Sequence, residues 1–250
     1  MSRVLVILPS IDIDTTRDCI QTMRFVDPAT VPILTAGHGR PDIASVTGPD
    51  WTGMSPDVRL TVVYNKLEHN LGVARSWNVG VEQMFEDGYE WLVVCSAAVR
   101  FGPPGGRDLI KFLGEANQAI PRPKVIEAGR DLGWHLIAFH RDTLRRVGPF
   151  DTIFHPAYYE DRDWSVRFQR AYGVNANTPD FAGPLWPKVD IDAELVQVAH
   201  GIKRGGVSVD FVEMEARFHA KWGPNEEYAT PYDDASLDWT FTGPHAAVPA

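Results

Sequence analysis

Short apolar runs alternate with helical stripes along the first part of the chain. A continuous apolar run follows Arg3, and it predicts a buried first strand at residues 3–8. Residues 15–25 predict a helix, with Ile20, Met23 and Phe25 facing inward. Three further strands are predicted at residues 31–35, 60–64 and 91–95. Strands separated by helices predict an α/β fold with a mainly parallel, doubly wound sheet flanked by helices.

A second helical stripe separates the last two of these strands. Its apolar positions are Val73, Trp77, Val81, Met84 and Phe85, and Gly88 is expected to end the helix. Residues 36–58 are rich in Gly, Pro and Asp and predict a long loop. In doubly wound sheets, ligands bind beyond the carboxyl ends of the strands. That rule selects residues 9–10, 35–36, 65–70 and 96–100 as candidate site segments.

The second half of the chain is less regular but carries its own elements. Trp164, Phe168, Ala171 and Tyr172 mark one face of a helix near residues 159–173. Strands are predicted at 134–140 and 195–199, and helices at 141–147 and 209–222. From Gly223 onward, Pro, Gly, Asp and Asn are scattered through an extended arm or tail.

Charge and composition exclude several classes of protein. The 250-residue chain has 33 acidic and 24 basic side chains and a formal charge of −9, which argues against nucleic-acid binding. No apolar run reaches the ~18 residues of a membrane span. The first apolar run is also shorter than the core of a signal peptide. With only two cysteines, a disulfide framework or zinc site is not expected, and the cytoplasm is the predicted compartment.

Three carboxylates stand close together where the helix near residue 160 should begin. They are Glu160, Asp161 and Asp163. One interpretation is structural, since a helix N-terminus favours negative charge and Asp163 can pair with Arg167 four residues later. The other is chemical, because an ionised carboxylate at the edge of a cleft can act as a general base toward a hydroxyl.

Three other segments are ambiguous when taken singly. Gly72 lies between a strand and a helix, where it suits either a phosphate-binding turn or a merely tight turn. Arg75 and Asn78 follow on one helix face, away from the apolar stripe. Residues 133–135, Gly-Trp-His, and the isolated His200 each have an ordinary structural interpretation.

The order of these segments is more specific than any of them alone. It runs from Asn70-Leu71-Gly72, with Asn78 and Gly80, through Gly133, Gly148-Pro149-Phe150-Asp151 and Glu160-Asp161-Arg162-Asp163-Trp164 to His200 and Lys221-Trp222-Gly223. Over residues 3–223 the chain resembles the family-two inverting glycosyltransferases with the GT-A fold, notably the rhamnosyltransferase-like members. The resemblance implies a nucleotide-diphosphate sugar as donor and Asp161 as the base for an acceptor hydroxyl, with Glu160 orienting or binding that acceptor.

The resemblance also implies a division of the chain and two sets of contacts. Residues 1–222 would form one domain, with a donor half at 1–106 and an acceptor half at 107–222, followed by the arm at 223–250. The expected donor contacts are Pro9, Ser10, Asn70, Gly72, Arg75, Asn78, Ser96 and Ala98. The expected acceptor or sugar contacts are Gly133, Trp134, His135 and Asp163. A glycan, a small molecule or a protein hydroxyl could serve as acceptor.

The chain departs from the family where a divalent metal is usually held. In place of an Asp-x-Asp element it has Cys95-Ser96-Ala97-Ala98, which leaves His200 as the candidate metal ligand. Three hypotheses follow: catalysis without metal, with Arg75, Arg100 or Arg40 facing the diphosphate; Mn²⁺ or Mg²⁺ held weakly with the donor diphosphate; or a non-catalytic nucleotide- or carbohydrate-binding protein. A nucleotidyltransferase is a weaker alternative, because residues 9–12 form no glycine-rich phosphate loop.

Overall fold

The computed structural model describes residues 3–23, 42–47, 58–65, 71–129, 131–174, 183–196 and 209–223. Its strands are β1 (Val4–Ser10), β2 (Asp42–Thr47), β3 (Val58–Tyr64), β4 (Trp91–Cys95), β5 (Val99–Phe101), β6 (Val125–Ala128), β7 (Leu136–His140), β8 (Lys188–Val189) and β9 (Ala193–Leu195). Its helices are α1 (Ile13–Met23), α2 (Val73–Asp87), α3 (Gly105–Ala116), α4 (Arg141–Val147), α5 (Glu160–Tyr172) and α6 (Phe211–Trp222). Single 3₁₀ turns span Gly133–His135 and Thr152–Phe154.

One mixed sheet forms the centre of the molecule. Its seven strands lie in the order β2-β3-β1-β4-β7-β6-β8. β1 is parallel to both β3 and β4, and β6 is parallel to β8. β2 and β7 run antiparallel to their neighbours. Five of these seven strands therefore point the same way, which confirms the predicted α/β fold with a mainly parallel sheet.

Both faces of the sheet are buried, as the continuous apolar runs predicted. In β1, Val4, Val6 and Leu8 join the core formed with α1 and α3. Leu5 and Ile7 point to the opposite face and join the core formed with α2, α4 and α5. Alternation along a strand sends successive side chains to opposite faces, so a strand with a core on each side must be apolar throughout.

Gly80 lets α2 approach the sheet closely. A Cβ atom at this position would lie 2.9 Å from Ile7 Cβ and 2.9 Å from Leu92 Cδ1. Any larger side chain would push the helix away from β1 and β4. Close packing of α2 on the sheet is therefore a sufficient reason for glycine at position 80.

Two boundaries differ from the sequence-based expectation. The loop predicted at residues 36–58 contains β2, which pairs antiparallel with β3 along its whole length. Backbone pairing at the sheet edge outweighs the local Gly and Pro content, as strand propensity depends strongly on context. The strand predicted from Trp134 begins only at Leu136, because Gly133–His135 form a 3₁₀ turn. The predicted strand at 31–35 and residues 197–199 of the late strand lie outside the described residues.

A third, smaller core joins α6 to α5. It contains Phe154, Val166, Met214, Phe218 and Trp222, all buried. This contact places the end of α6 beside the helix that carries the acidic segment. Within the described ranges, no helix combines the length and apolarity needed to cross a bilayer.

Candidate active site

The first turn of α5 is entered through two residues with left-handed backbone. Tyr158 has φ 77° and Tyr159 has φ 70°, a region that non-glycine residues rarely adopt. Such conformations cost about 1–3 kcal/mol each and concentrate at functional sites. They place Glu160 and Asp161 in the first helical turn, and no side chain caps that helix start. We refer to residues 158–161 as the acidic turn.

Glu160 is a buried carboxyl without a full set of hydrogen-bond partners. Its exposure is only 5%, and among the described residues its Oε2 atom has no hydrogen-bond partner. Burial and, secondarily, the charge of Asp161 raise the pKa of Glu160 to about 8. Glu160 is therefore mostly protonated at neutral pH, so its carboxyl can donate a hydrogen bond as well as accept one.

Asp161 lies next to Glu160 but is more accessible to solvent. Burial raises the pKa of Asp161, whereas the backbone N–H of Arg162, 2.7 Å from Oδ1, lowers it. The Arg162 and His135 side chains lower it further. Two adjacent carboxyls in unequal environments can divide the roles of base and hydrogen-bond donor.

The end of β4 lies beside the turn at residues 133–135, and that turn lies near Asp161. The Ser96 backbone N–H donates to the His135 carbonyl over 2.8 Å. Burial lowers the pKa of His135, and the nearby Asp161 charge raises it. The structure thus brings together Ser96, His135 and Asp161, three residues that are far apart in the sequence.

The start of α2 lies against the chain that leads into the acidic turn. Gly72 has φ 76°, and a Cβ atom there would lie 2.8 Å from both His155 Cδ2 and the Pro156 oxygen. The Val73 N–H donates to the Pro156 carbonyl over 2.8 Å. The exposed Arg75 follows in the first turn. These contacts require glycine at position 72.

A cavity of about 270 Å³ lies between the start of α2 and this segment. Its lining residues are Leu71, Gly72, Val73, Ala74, Arg75, Thr152 and His155. The first turn of a helix favours anions, and Arg75 adds a positive charge. The cavity therefore suits a phosphate group.

Asn65 belongs to the candidate segment at residues 65–70, but the sequence analysis assigns no role to its side chain. Its backbone N–H donates to Ser10 O over 2.7 Å. Its side chain donates to Ser76 Oγ over 2.9 Å and accepts from Leu71 N over 3.0 Å. Asn65 therefore fixes the ends of β1 and β3 to the start of α2. The sequence feature that points to this role is a polar residue placed directly after an apolar strand.

Asn78 and Ser10, two of the predicted donor contacts, are used inside the protein. The Asn78 amide donates to Phe150 O and accepts from Phe150 N, each over 2.8 Å. The Ser10 hydroxyl is hydrogen-bonded to Thr16 and Asp12. Asn78 thereby joins α2 to the backbone at Phe150, and the buried Ser10 hydroxyl finds its partners within the protein. The Asn78 amide therefore has a structural role, and its contact with the donor stays a prediction.

Asp163 is also used internally, which corrects its predicted role as a sugar contact. It has 0% exposure. Its Oδ2 atom accepts from Arg167 Nε over 2.9 Å, and its Oδ1 atom accepts from Trp222 Nε1 over 2.9 Å. The spacing in the sequence predicts the i,i+4 pair between Asp163 and Arg167. The complete burial of Asp163 also requires the contact from Trp222 in α6.

The remaining predicted residues fall into four cases. Trp134 is half-buried and stacks on Trp77 with a centroid separation of 5.9 Å, so much of its ring belongs to the core. Gly133 has a positive φ of 52°, and a Cβ atom added at this position would lie 3.6 Å from Glu127 Oε1. Pro9 and Ala98 are half-buried at strand ends. Asn70 and His200 lie outside the described residues.

The end of β4 does not fit the divalent ion that the family resemblance implies. Ser96 offers a hydroxyl that accepts from Ala98 N over 3.3 Å, and Ala98 offers no side-chain ligand. Hard cations such as Mg²⁺ require several oxygen ligands, with carboxylates preferred. In the part of the chain that the structure describes, no three His, Cys, Asp or Glu side chains are grouped to hold a metal.

No family model and no curated protein match the chain. It is similar to a solved mannosyltransferase, PcManGT from Pyrobaculum calidifontis, in complex with GDP-Man and Mn²⁺, at 19% identity and TM-score 0.43. That match covers 71% of this chain, which spans 55% of the mannosyltransferase. It is also similar to a mutant Drosophila β1,4-galactosyltransferase 7 with manganese, UDP-Gal and xylobiose, at 12% identity and TM-score 0.46, covering 87% and 80% of the two chains. A third similar structure is a glycosyltransferase involved in glycosylation of the PBCV-1 major capsid, at 12% identity, TM-score 0.34 and 74% and 72% coverage.

Proposed function

We propose that this chain is a glycosyltransferase that moves a sugar from a nucleotide-diphosphate sugar to a hydroxyl acceptor with inversion. The observation that carries the proposal is the acidic turn, where Glu160 and Asp161 are adjacent but unequally buried. The charge of Asp161 acts on His135, whose carbonyl accepts a hydrogen bond from Ser96 at the end of β4, and this supports a reaction at this edge of the sheet. The order of the sequence segments supports the same chemistry.

The reaction follows from the roles that the two carboxyls can take. Asp161 accepts the proton of the acceptor hydroxyl as its oxygen attacks the anomeric carbon. The bond between that carbon and the diphosphate oxygen breaks, and the nucleoside diphosphate leaves with the electron pair. Attack opposite the leaving group inverts the configuration. Glu160, buried and protonated, adds no second negative charge beside Asp161, so Asp161 alone acts as the base.

Arg75 and the start of α2 are the groups that we assign to the diphosphate. Arg75 lies on the cavity wall, and its guanidinium can bind two phosphate oxygens at once. Arg100 is less suited, because its guanidinium is bonded to the carbonyls of Ala97 and Val99. The predicted Arg40 lies outside the described residues.

Replacement of the base tests the proposal directly. Asp161→Asn keeps the shape of the side chain but removes its basicity, so transfer should fall by a factor of about 10² or more. Transfer to a panel of glycan, small-molecule and protein acceptors would be measured with several nucleotide sugars, beginning with GDP-Man and UDP-Gal. Asp108→Asn is the matched control, since Asp108 is an exposed acid in the first turn of α3. Equal turnover in wild type and Asp161→Asn would contradict the assignment of the base.

A binding protein without transferase activity is the second candidate. The observation that favours it is the absence of carboxylate side chains at positions 96 and 98. The same panel separates the two functions. Saturable binding of a nucleotide sugar or glycan, with neither transfer nor donor hydrolysis, would support the binding protein.

A further inference from the structure

A charge-balanced group of side chains lies beneath the acidic turn. It consists of Asp151, Asp163, Arg167 and Lys221, and we call it the ionic cluster. Lys221 Nζ lies 2.7 Å from Asp151 Oδ2 and 2.5 Å from Asp163 Oδ1. Arg167 Nη2 lies 2.9 Å from Asp163 Oδ2. These four side chains are largely or fully buried, with exposures from 0% to 14%.

The ionic cluster joins the end of α6 to both segments that shape the candidate site. Asp163 stands three residues after Glu160, one turn further along α5. Asp151 accepts from Ile153 N over 3.0 Å and so begins the segment that leads to His155 and Pro156. That segment contacts Gly72 at the start of α2. The end of α6 therefore contacts both the segment that lies against α2 and the helix that carries the acidic turn.

Trp222 adds a directional contact to these ionic ones. Its indole N–H donates to Asp163 Oδ1, the oxygen that Lys221 also contacts, while its ring is 98% buried in the small core beside α5. Both oxygens of Asp163 are thereby held in fixed directions. A helix turn anchored by a buried, fully bonded carboxylate can shift or rotate only by breaking several of these bonds.

We propose that Lys221 and Trp222 are positioning residues that set the acidic turn through Asp163. Neither is expected to touch substrate. The consequence for sugar transfer rests on the proposed function, whereas the consequence for the environment of Glu160 does not. Loosening of Asp163 should let the first turn of α5 move outward and expose Glu160 to water.

Two variants and one matched control test this role. Trp222→Phe removes the indole N–H but keeps an aromatic ring, and Lys221→Met removes the ammonium group. Trp91→Phe is the control, because Trp91 is another fully buried tryptophan that donates to a side-chain oxygen, that of Asn117, over 3.1 Å. Lys221→Met removes one partner of a buried ion pair, which can prevent folding. Trp222→Phe leaves the ion pairs intact, so it is the variant that decides the result.

The first measurement is the titration of Glu160 by NMR of protein labelled in the glutamate carboxyl, with Glu160→Gln identifying the signal. Wild type and Trp91→Phe should titrate near pH 8. Trp222→Phe should titrate at least about one pH unit lower, toward the ordinary value of 4.5. An unchanged midpoint in folded Trp222→Phe would overturn the proposal.

The second measurement is steady-state transfer. Trp222→Phe should lower kcat by about tenfold or more, with the KM for the donor unchanged, because misplacement of a reacting group affects mainly the chemical step. An unchanged kcat would overturn the positioning role in catalysis. If wild type shows no transfer with any donor, the proposed function fails, and the titration still decides whether Lys221 and Trp222 position the turn.

Discussion

Glu160 shows how one residue can be costly for stability and useful for chemistry. A buried carboxyl with one oxygen that lacks a hydrogen-bond partner is unfavourable when charged, so Glu160 holds its proton up to an unusually high pH. In the protonated form it can donate a hydrogen bond, whereas the more accessible Asp161 next to it in the chain is suited to accept a proton. The same burial that raises the pKa of Glu160 therefore separates the roles of the two acids.

This burial predicts a specific pH dependence of stability. Because the pKa of Glu160 is higher in the folded state, its contribution to stability is fully present below about pH 4.5 and is lost as the pH rises through about 8. Glu160→Gln does not titrate. Between these pH values, the free energy of unfolding of wild type should therefore fall relative to that of the variant, by at most about 5 kcal/mol.

Denaturant unfolding at several pH values measures this difference. Glu115→Gln is the control, since the Glu115 side chain is 65% exposed and should leave the wild-type pH profile unchanged. Parallel pH profiles for wild type and Glu160→Gln would show that Glu160 titrates normally in the folded protein.

At the scale of elements, the site is made where the start of α2 meets the segment before α5. The two helices are linked by the Val73–Pro156 hydrogen bond and by the close approach of Gly72 to His155 and Pro156. The cavity that we assign to the diphosphate lies at this junction. Its shape therefore depends on a glycine that carries no functional group.

Two glycine substitutions should have opposite effects on stability. Gly72→Ala meets a positive φ and two contacts at 2.8 Å, so it should destabilise the protein by about 1–3 kcal/mol. Gly114→Ala lies within α3 and has nothing within 4 Å, so it should stabilise by about 0.5–1 kcal/mol. Denaturant unfolding of both variants checks this, and destabilisation of equal size at the two sites would contradict the packing account of Gly72.

At the scale of the whole molecule, the sheet brings the ends of β1, β3 and β4 to one edge, and the α5 side of the fold adds the acids. Arg75 supplies positive charge at this edge, whereas positions 96 and 98 lack the acidic metal ligands that the sequence resemblance implies. This balance leads us to expect a reaction in which the diphosphate is held without a tightly bound divalent ion.

Nucleotide binding and chelation test this expectation together. Arg75→Ala should weaken binding of UDP or GDP by about tenfold, because a charge-assisted contact is lost. Arg17→Ala is the control, since the Arg17 side chain is 51% exposed and pairs with Asp14 within α1. EDTA should leave the transfer rate unchanged. Strong inhibition by EDTA that Mn²⁺ reverses would show that a metal is required, with His200 the first ligand to test.

The periodic parts of the fold could be predicted from the sequence because periodicity reports burial directly. The apolar run of β1 and the stripe of α2 from Val73 to Phe85 correspond to elements with buried side chains. Residues 42–47 could not be recognised as a strand in this way, because β2 depends on backbone pairing with β3.

The candidate site, like the fold, is predicted from the sequence only in part. The sequence by itself determined that acids cluster at a helix start, that Gly72 precedes a helix, and that no carboxylate follows β4. Only the tertiary structure decided which of these groups face solvent. Asp161 remains partly accessible, while Asp163 is enclosed by Arg167, Lys221 and Trp222. The Asn78 amide is hydrogen-bonded to the backbone of Phe150. Local spacing places a side chain on one face of its helix, but its burial and its partners come from segments far away in the chain. The sequence alone therefore does not distinguish a catalytic base from a structural carboxylate.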